Sequence, residues 1–259
     1  MKLPAIAKAL INDLKPLVFD RPVAHVYNPL EYAWAPHRDY LQRFGKAPRE
    51  VVLVGMNPGP WGMVQTGVPF GEVSLVRDWL GVRGSVSRPQ NEHPKRPVTG
   101  FACTRSEVSG RRLWGWARDS FGTPGHFFSR FFVANYCPLA FLDEGGRNVT
   151  PDRLPKAELS RLQDVCDLAL RRSVKYFEPR FVIGIGKFAE RRARSALDGL
   201  DVTIGSILHP SPASPAANRD WVGQVTAQFA GLGIEPAEKT KYSSVMGVIP
   251  EGRADSRPT

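Results

Sequence analysis

The sequence predicts a single-domain α/β fold built on a parallel sheet. Four short apolar runs recur between residues 50 and 232, patterns of helical period separate them, and the composition is that of one globular unit, 42% hydrophobic and 23% charged over 259 residues. That length buries one sizeable core, which excludes a disordered or disulfide-stapled mini-protein. Cys103, Cys137 and Cys166 are too far apart for a CxxC metal knuckle and too few for an iron-sulfur cluster, so they read as buried thiols.

The amino terminus, MKLPAIAKALINDLKPL, reads as an amphipathic helix interrupted by Lys8, Asn12 and Asp13, with no signal-peptide core. After it comes an aromatic, proline-punctuated segment with Tyr27, Tyr32, Trp34 and Tyr40, expected to cap the sheet. The strands are expected at Val51 to Gly55, Phe131 to Asn135, Phe181 to Ile185 and Val202 to His209. Each is short, rich in β-branched or aromatic residues and bounded by Gly or Pro, as strands buried on both faces should be. Helices are expected at Glu72 to Leu80, Arg111 to Phe121, Lys156 to Phe177 and Ala216 to Leu232. In the last, Trp221, Val225, Phe229 and Leu232 form one buried stripe. Residues 1–234 thus form the domain, and residues 235–259, which have no sustained period, a flexible tail.

No run of ~18 apolar residues is present to span a bilayer. The expected setting is therefore intracellular and away from membranes: cytoplasm or nucleoid in a bacterium, nucleus in a eukaryote. Thirty-five Lys and Arg against 25 Asp and Glu give a formal charge of +10, which favours a polyanionic partner such as nucleic acid. The local basic clusters, at Arg111, Arg112 and Arg118, at Arg171, Arg172 and Lys175, and at Lys187, Arg191, Arg192 and Arg194, also read as solvated helix faces.

In a parallel sheet, ligands gather beyond the carboxyl ends of the strands. Three of those ends present Asn57, Asn135 and His209, and Phe70 lies in the long first loop. Singly, each reads as a turn former or a core residue. Together they form an uncharged hydrogen-bonding set with an aromatic platform, which suits a planar, amide-like heterocycle better than a phosphate or a sugar acid. The loop GMNPGPWGMVQTGVPFGE is too rich in Gly, Pro and polar residues for an ordinary connector. Gly184 to Ala189 mimics a dinucleotide fingerprint but lacks the acidic residue that should follow it. That turn reads as helix packing or as a DNA phosphate contact through Lys187. His25, His37, His93 and His126 have no metal-ligand spacing, so neither metal nor cofactor is expected.

The segments GMNPGPWGMVQTGVPFGEVSLVRDWLG, NYCPLAFLDEGGRNVTP and HPSPASPAANRDW resemble the motifs of the single-strand-selective monofunctional uracil-DNA glycosylase family, within the uracil-DNA glycosylase superfamily, over most of residues 20 to 232. The resemblance implies a three-layer fold with helices flanking a four-stranded parallel sheet. It implies a monomer that excises uracil, and 5-oxidised uracils such as 5-hydroxymethyluracil, from single- and double-stranded DNA in base excision repair. No amine nucleophile stands in the motifs, so base removal without strand cleavage is expected. Asn57 would position the water and His209 would stabilise the leaving base. Asn135 would read the Watson-Crick edge and Phe70 would stack. The Gly59 and Met63 amides would hold a water beside C5, where a 5-hydroxymethyl group can replace it, and Met56 joins the base-contacting set. The loop Pro210, Ser211, Pro212, Ala213, Ser214, Pro215 and on to Asn218 would be the wedge entering the duplex, with Lys187 and Arg219 as further DNA contacts. Two departures stand out: Ala213 replaces the basic residue of the HPSPRNP motif of vertebrate members, and Trp61 replaces a Phe. Two rival functions remain, a glycosylase acting on xanthine or hypoxanthine and a non-catalytic DNA-damage-binding module.

Overall fold

A computed structural model describes residues 1–235, so the expected tail lies, apart from Glu235, outside the described residues. The four expected strands form one parallel sheet: β2 (Val51–Gly55), β3 (Phe131–Asn135), β6 (Phe181–Ile185) and β7 (Thr203–Ile207), in the order β3-β2-β6-β7. The central strands β2 and β6 are buried at every position, the signature of a sheet covered on both faces.

On one side α1 (Leu3–Leu14) lies against α7 (Lys156–Phe177), burying Leu3, Ile6, Ala7, Ile11 and Leu14 at helical spacing. Elsewhere α5 (Val108–Phe121) meets α9 (Pro215–Gly231), where the Trp116 ring stacks on Phe229 with centroids 5.5 Å apart and Trp221 meets Trp116 edge-on. Two helix starts follow one chemical rule, a hydroxyl cap followed by proline at the first helical position. Thr123 caps α6 (Pro124–Arg130) by accepting from the His126 N–H, and Ser214 caps α9 by accepting from the Ala217 N–H. Asp220 breaks α9 with φ −158° and caps the restart by accepting from Gly223 N–H at 2.8 Å.

Several elements depart from expectation. The segment expected to cap the sheet instead contributes β1 (His25–Tyr27) to a second, antiparallel sheet with β4 (Ala140–Leu142) and β5 (Asn148–Val149), in the order β1-β4-β5. Strands this short show no alternation to detect. The same segment holds the single-turn α2 (Pro29–Tyr32) and α3 (Trp34–Phe44), and α4 (Met63–Thr66) is a single turn inside the long loop. The helix expected over 72–80 is a π-helical turn at Leu75–Trp79. Cys137 and Cys166 are buried, but Cys103 is only half-buried because it ends a short surface turn, Gly100–Ala102. Among the described residues no helix is long and apolar enough to cross a membrane.

One buried contact ties α3 to the long loop: His37 Nδ1 lies 2.8 Å from the Gly67 carbonyl oxygen. Burial pushes the His37 pKa down to about 4. The unfolded chain, with an ordinary histidine pKa near ~6.5, then binds a proton that the folded chain refuses, so stability is lost as pH falls from about 6.5 towards 4. Urea unfolding at pH 7 and pH 4.5 should show His37→Gln losing about 2 kcal/mol less than the wild type over that interval. Equal losses would mean that His37 does not titrate this way.

Candidate active site

The strand registers place the site. The β2–β3 ladder ends with Gly55 opposite Asn135, and the β6–β7 ladder ends with Ile185 opposite Ile207. Asn57 and His209 each stand two residues beyond those ends. The exits stay tied, by Tyr136 N–H to Gly55 O at 2.8 Å, Cys137 N–H to Met56 O at 2.9 Å and Gly186 N–H to Ile207 O at 2.8 Å. The Asn57 side-chain amide donates to Leu139 O at 3.3 Å. Beyond Asn135, the Tyr136 hydroxyl donates to Asp167 at 2.6 Å and accepts from Arg192 at 3.2 Å, which fastens the third strand end.

The loop from Met56 to Glu72 is irregular and largely buried, so its backbone groups need partners. Gln65, fully buried, supplies four contacts: its amide nitrogen donates to Pro60 O (3.1 Å) and Pro97 O (3.0 Å), and its oxygen accepts from Thr99 N–H (2.9 Å) and Gly100 N–H (3.2 Å). The Thr66 hydroxyl donates towards Gly71 O at 3.0 Å and accepts from Val68 N–H. The Trp114 indole donates to Pro69 O at 3.1 Å. Phe70 is held among these contacts at φ +53°, a left-handed conformation that costs a non-glycine residue on the order of 1–3 kcal/mol. Helix α5 packs directly on its carbonyl, at a place where a Cβ on Gly110 would collide with Phe70 O.

A cluster of side chains forms over Gly55. A Cβ there would stand 2.5 Å from Phe70 Cε2 and would collide with Asn135 Oδ1, so only glycine lets ring and amide meet. Asn135 Nδ2 points at the Met63 sulfur 3.2 Å away, and the His209 ring lies 6.1 Å from that of Phe70. Gly186, with φ +91°, seats His209, since a Cβ on it would stand 3.2 Å from the His209 Cβ. Phe70, Asn135, Met63 and His209 therefore form one cluster, and Asn57 shares its sheet edge. Met56 is half-buried against the core with its carbonyl engaged. Gly59 and Gly62 have a further reason to be glycine, because the Glu107 carboxyl fills the space their Cβ atoms would need.

In the proposed wedge, Pro210 is buried, Ser211 and Ser214 half-buried, and Pro212, Ala213 and Pro215 exposed. Arg112 of α5 latches it from below, donating to Pro210 O at 3.1 Å, Ser211 O at 3.3 Å and Asn218 Oδ1 at 2.9 Å. Asn218 returns a hydrogen bond to Pro212 O at 2.8 Å. Arg219 is exposed. Lys187 is exposed too, but its ammonium donates to Glu190 at 2.8 Å and Ser206 at 3.0 Å, so a phosphate there would compete with Glu190. The glycines of that turn serve packing, since a Cβ on Gly184 would stand 2.7 Å from Glu190 Cα.

Three functional supports escape sequence reading: Gln65, whose buried amide looks like any loop glutamine; Arg112, which sits in a basic cluster read as solvated; and Glu107, outside every motif considered. The electrostatics also favour a neutral site, because burial lowers the His209 pKa to about 4 and leaves its imidazole uncharged near neutrality. Histidine carbon-proton NMR of the full chain should show the His209 resonance still between pH 5.5 and 8; a midpoint near ~6.5 for His209 would contradict its burial.

The profile of the uracil DNA glycosylase superfamily matches residues 42–229. The chain is 52% identical over 226 residues to the single-strand selective monofunctional uracil-DNA glycosylase of Rattus norvegicus, a match covering 86% of this chain and 81% of that protein. It is 51% identical over 229 residues to the Bos taurus protein of the same name, covering 88% and 84%. The crystal structure of wild-type SMUG2 from Pedobacter heparinus aligns with a TM-score of 0.63 over 88% of this chain and 98% of that one, at 16% identity, which is a likeness of fold. The matched stretch contains the strands that present Asn57, Asn135 and His209, and on these grounds the chain belongs to the uracil-DNA glycosylase superfamily.

Proposed function

We propose that this protein flips uracil out of DNA and hydrolyses its N-glycosidic bond, leaving an abasic site, and that it treats uracils oxidised at C5, such as 5-hydroxymethyluracil, in the same way. The observation that carries the reading is the convergence of Asn135, Phe70 and an uncharged His209 over Gly55 at the sheet edge that also bears Asn57. Cleavage puts negative charge on the departing base and positive charge on the sugar. His209 donates to the uracil O2 region, and such a preorganised donor is typically worth ~3 kcal/mol or more in the transition state. Asn57 orients water towards C1′ but takes up no proton near neutral pH. Asn135 offers N–H to O4 and its carbonyl to N3–H, a pattern that uracil matches and cytosine inverts. No lysine belongs to the cluster, so the reaction stops at base removal. The relatives' names, which specify a monofunctional enzyme and single-strand selectivity, support the same reading.

The domain of residues 1–234 acts as a monomer on single- and double-stranded DNA, wherever the cell keeps it. The +10 charge supplies phosphate attraction, and the cost of unstacking the target makes a single-stranded or mismatched base the easier substrate. In duplex DNA the latched loop from Pro210 to Asn218 is the wedge, stiffened by three prolines, with Ala213 at its tip too small to fill the vacated stack.

In single-turnover assays on a uracil oligonucleotide, His209→Ala and Asn57→Ala should each slow excision by about two to three orders of magnitude. Wild-type rates in both variants would place the chemistry elsewhere. The wedge makes a separate prediction. Arg112→Met should reduce excision from A:U duplexes by about tenfold more than from single strands, because it frees the loop rather than altering the pocket, while Ala213→Arg should raise duplex activity. Parallel changes on single-stranded, G:U and A:U substrates would refute the wedge while leaving the pocket assignment intact.

A further inference from the structure

Glu107, immediately before α5, is a buried polar side chain near the site that the reaction outlined above does not use. Its Oε2 is buried and has no hydrogen-bond partner among the described residues. The carboxyl lies against the Cα atoms of Gly59 and Gly62 so closely that a side chain on either glycine would collide with it. Gly59 and Met63, the residue after Gly62, are the pair whose N–H groups face C5 of the base in the reading above. Neither N–H donates to a backbone carbonyl among the described residues. The turn that carries these two donors is thus the one against which the buried carboxyl lies. Leaving buried polar groups unpaired is costly, so the arrangement calls for a small polar guest.

We propose that Glu107 is a specificity-determining residue at C5: with the Gly59 and Met63 N–H groups it holds the oxygen of a 5-substituent, or a water when the base is uracil. This rests on the uracil reading and extends it to a side chain.

The chemistry separates two oxidised bases. A 5-hydroxymethyl oxygen accepts from the two N–H groups while its own O–H donates to Glu107, which a carboxylate or a carboxylic acid can accept. A 5-formyl oxygen has no proton to give, so it tolerates Glu107 only as the acid, whose O–H donates to it; a carboxylate repels it. Burial first, and then the charge of Glu72, push the Glu107 pKa up to about 7, so both forms are populated near neutrality. The other charges nearby are occupied or turned away. The Glu72 carboxylate accepts from the Ser74 hydroxyl and the Leu75 N–H, Arg105 and Arg96 lie over the Trp61 ring, Arg112 is engaged on the Pro210 to Asn218 loop, and His209 is neutral. Arg111, on the first turn of α5, meets Glu107 through its backbone N–H.

The test measures single-turnover excision of uracil, 5-hydroxymethyluracil and 5-formyluracil, each in the same single-stranded oligonucleotide, from pH 6 to 8.5, for the wild type and Glu107→Gln. The glutamine keeps a donor and an acceptor but does not ionise. The wild-type ratio of formyl to hydroxymethyl excision should fall by about tenfold relative to the same ratio in Glu107→Gln as pH rises through 7. Ionisation of the bases themselves is common to both proteins and cancels. Gly62→Ala, which must turn the carboxyl out, should likewise abolish the pH-dependent difference and serves if Glu107→Gln does not fold. Superimposed profiles, or an equal loss on all three bases, would overturn the role of Glu107 with uracil excision intact. A wild type inert on uracil would instead overturn the parent reading and this inference with it.

Discussion

The site depends on one buried amide. Gln65 closes four backbone hydrogen bonds, to Pro60, Pro97, Thr99 and Gly100, and so joins the loop after β2 to the segment that leads into α5. An irregular loop can be buried only if its peptide groups are paired, and each one left unpaired costs roughly 1–3 kcal/mol. One side chain meeting four such demands lets a glycine- and proline-rich segment lie inside the protein as a rigid wall. Asn57, Met63 and Phe70 hang from that wall. Their relative positions follow from Gln65 before any ligand arrives.

Helix α5 carries that order outward. Its amino end places Glu107 against Gly59 and Gly62, its first turn brings Gly110 onto the Phe70 carbonyl, and Arg112 reaches the proposed wedge. Further along, through Trp116 stacked on Phe229, it is anchored to α9, whose first residues belong to the proposed wedge. The side-chain cluster and the Pro210 to Asn218 loop thus belong to one packed unit, joined by α5.

Much of this was legible in the sequence, for definite reasons. The central strands are unbroken apolar runs because both faces are covered, and such runs survive inspection without any structure. Asn57, Asn135 and His209 stood out because polar residues immediately after apolar runs fall at the carboxyl edge of a parallel sheet. The small sheet of β1, β4 and β5 was hidden because two or three residues carry no period. The π-helical turn at Leu75–Trp79 was hidden because its apolar residues fit an α-helical pattern nearly as well. Gln65, Glu107 and Arg112 were hidden for a deeper reason. Each acts across a long stretch of chain, on Thr99, on Gly59 and on Pro210 respectively, and local composition records nothing of a distant partner.

The strained Phe70 shows what the rigidity accomplishes. A left-handed phenylalanine persists only where its surroundings over-determine it, and here the Pro69 carbonyl, the Gly71 carbonyl and the Gly110 face each hold a neighbouring part of the backbone. Folding offsets that strain once, so the base proposed to stack on Phe70 would meet a ring already in place and lose little further entropy in ordering it. Charge follows the same division. The net charge of +10 favours any phosphate, while His209 and Asn135, the groups proposed to meet the base, are neutral and suited to reading hydrogen-bond pattern. On the proposed reading, attraction to DNA is therefore unselective and recognition of the base is not, and the step linking them is extrusion past the Pro210 to Asn218 loop, whose shape Arg112 fixes.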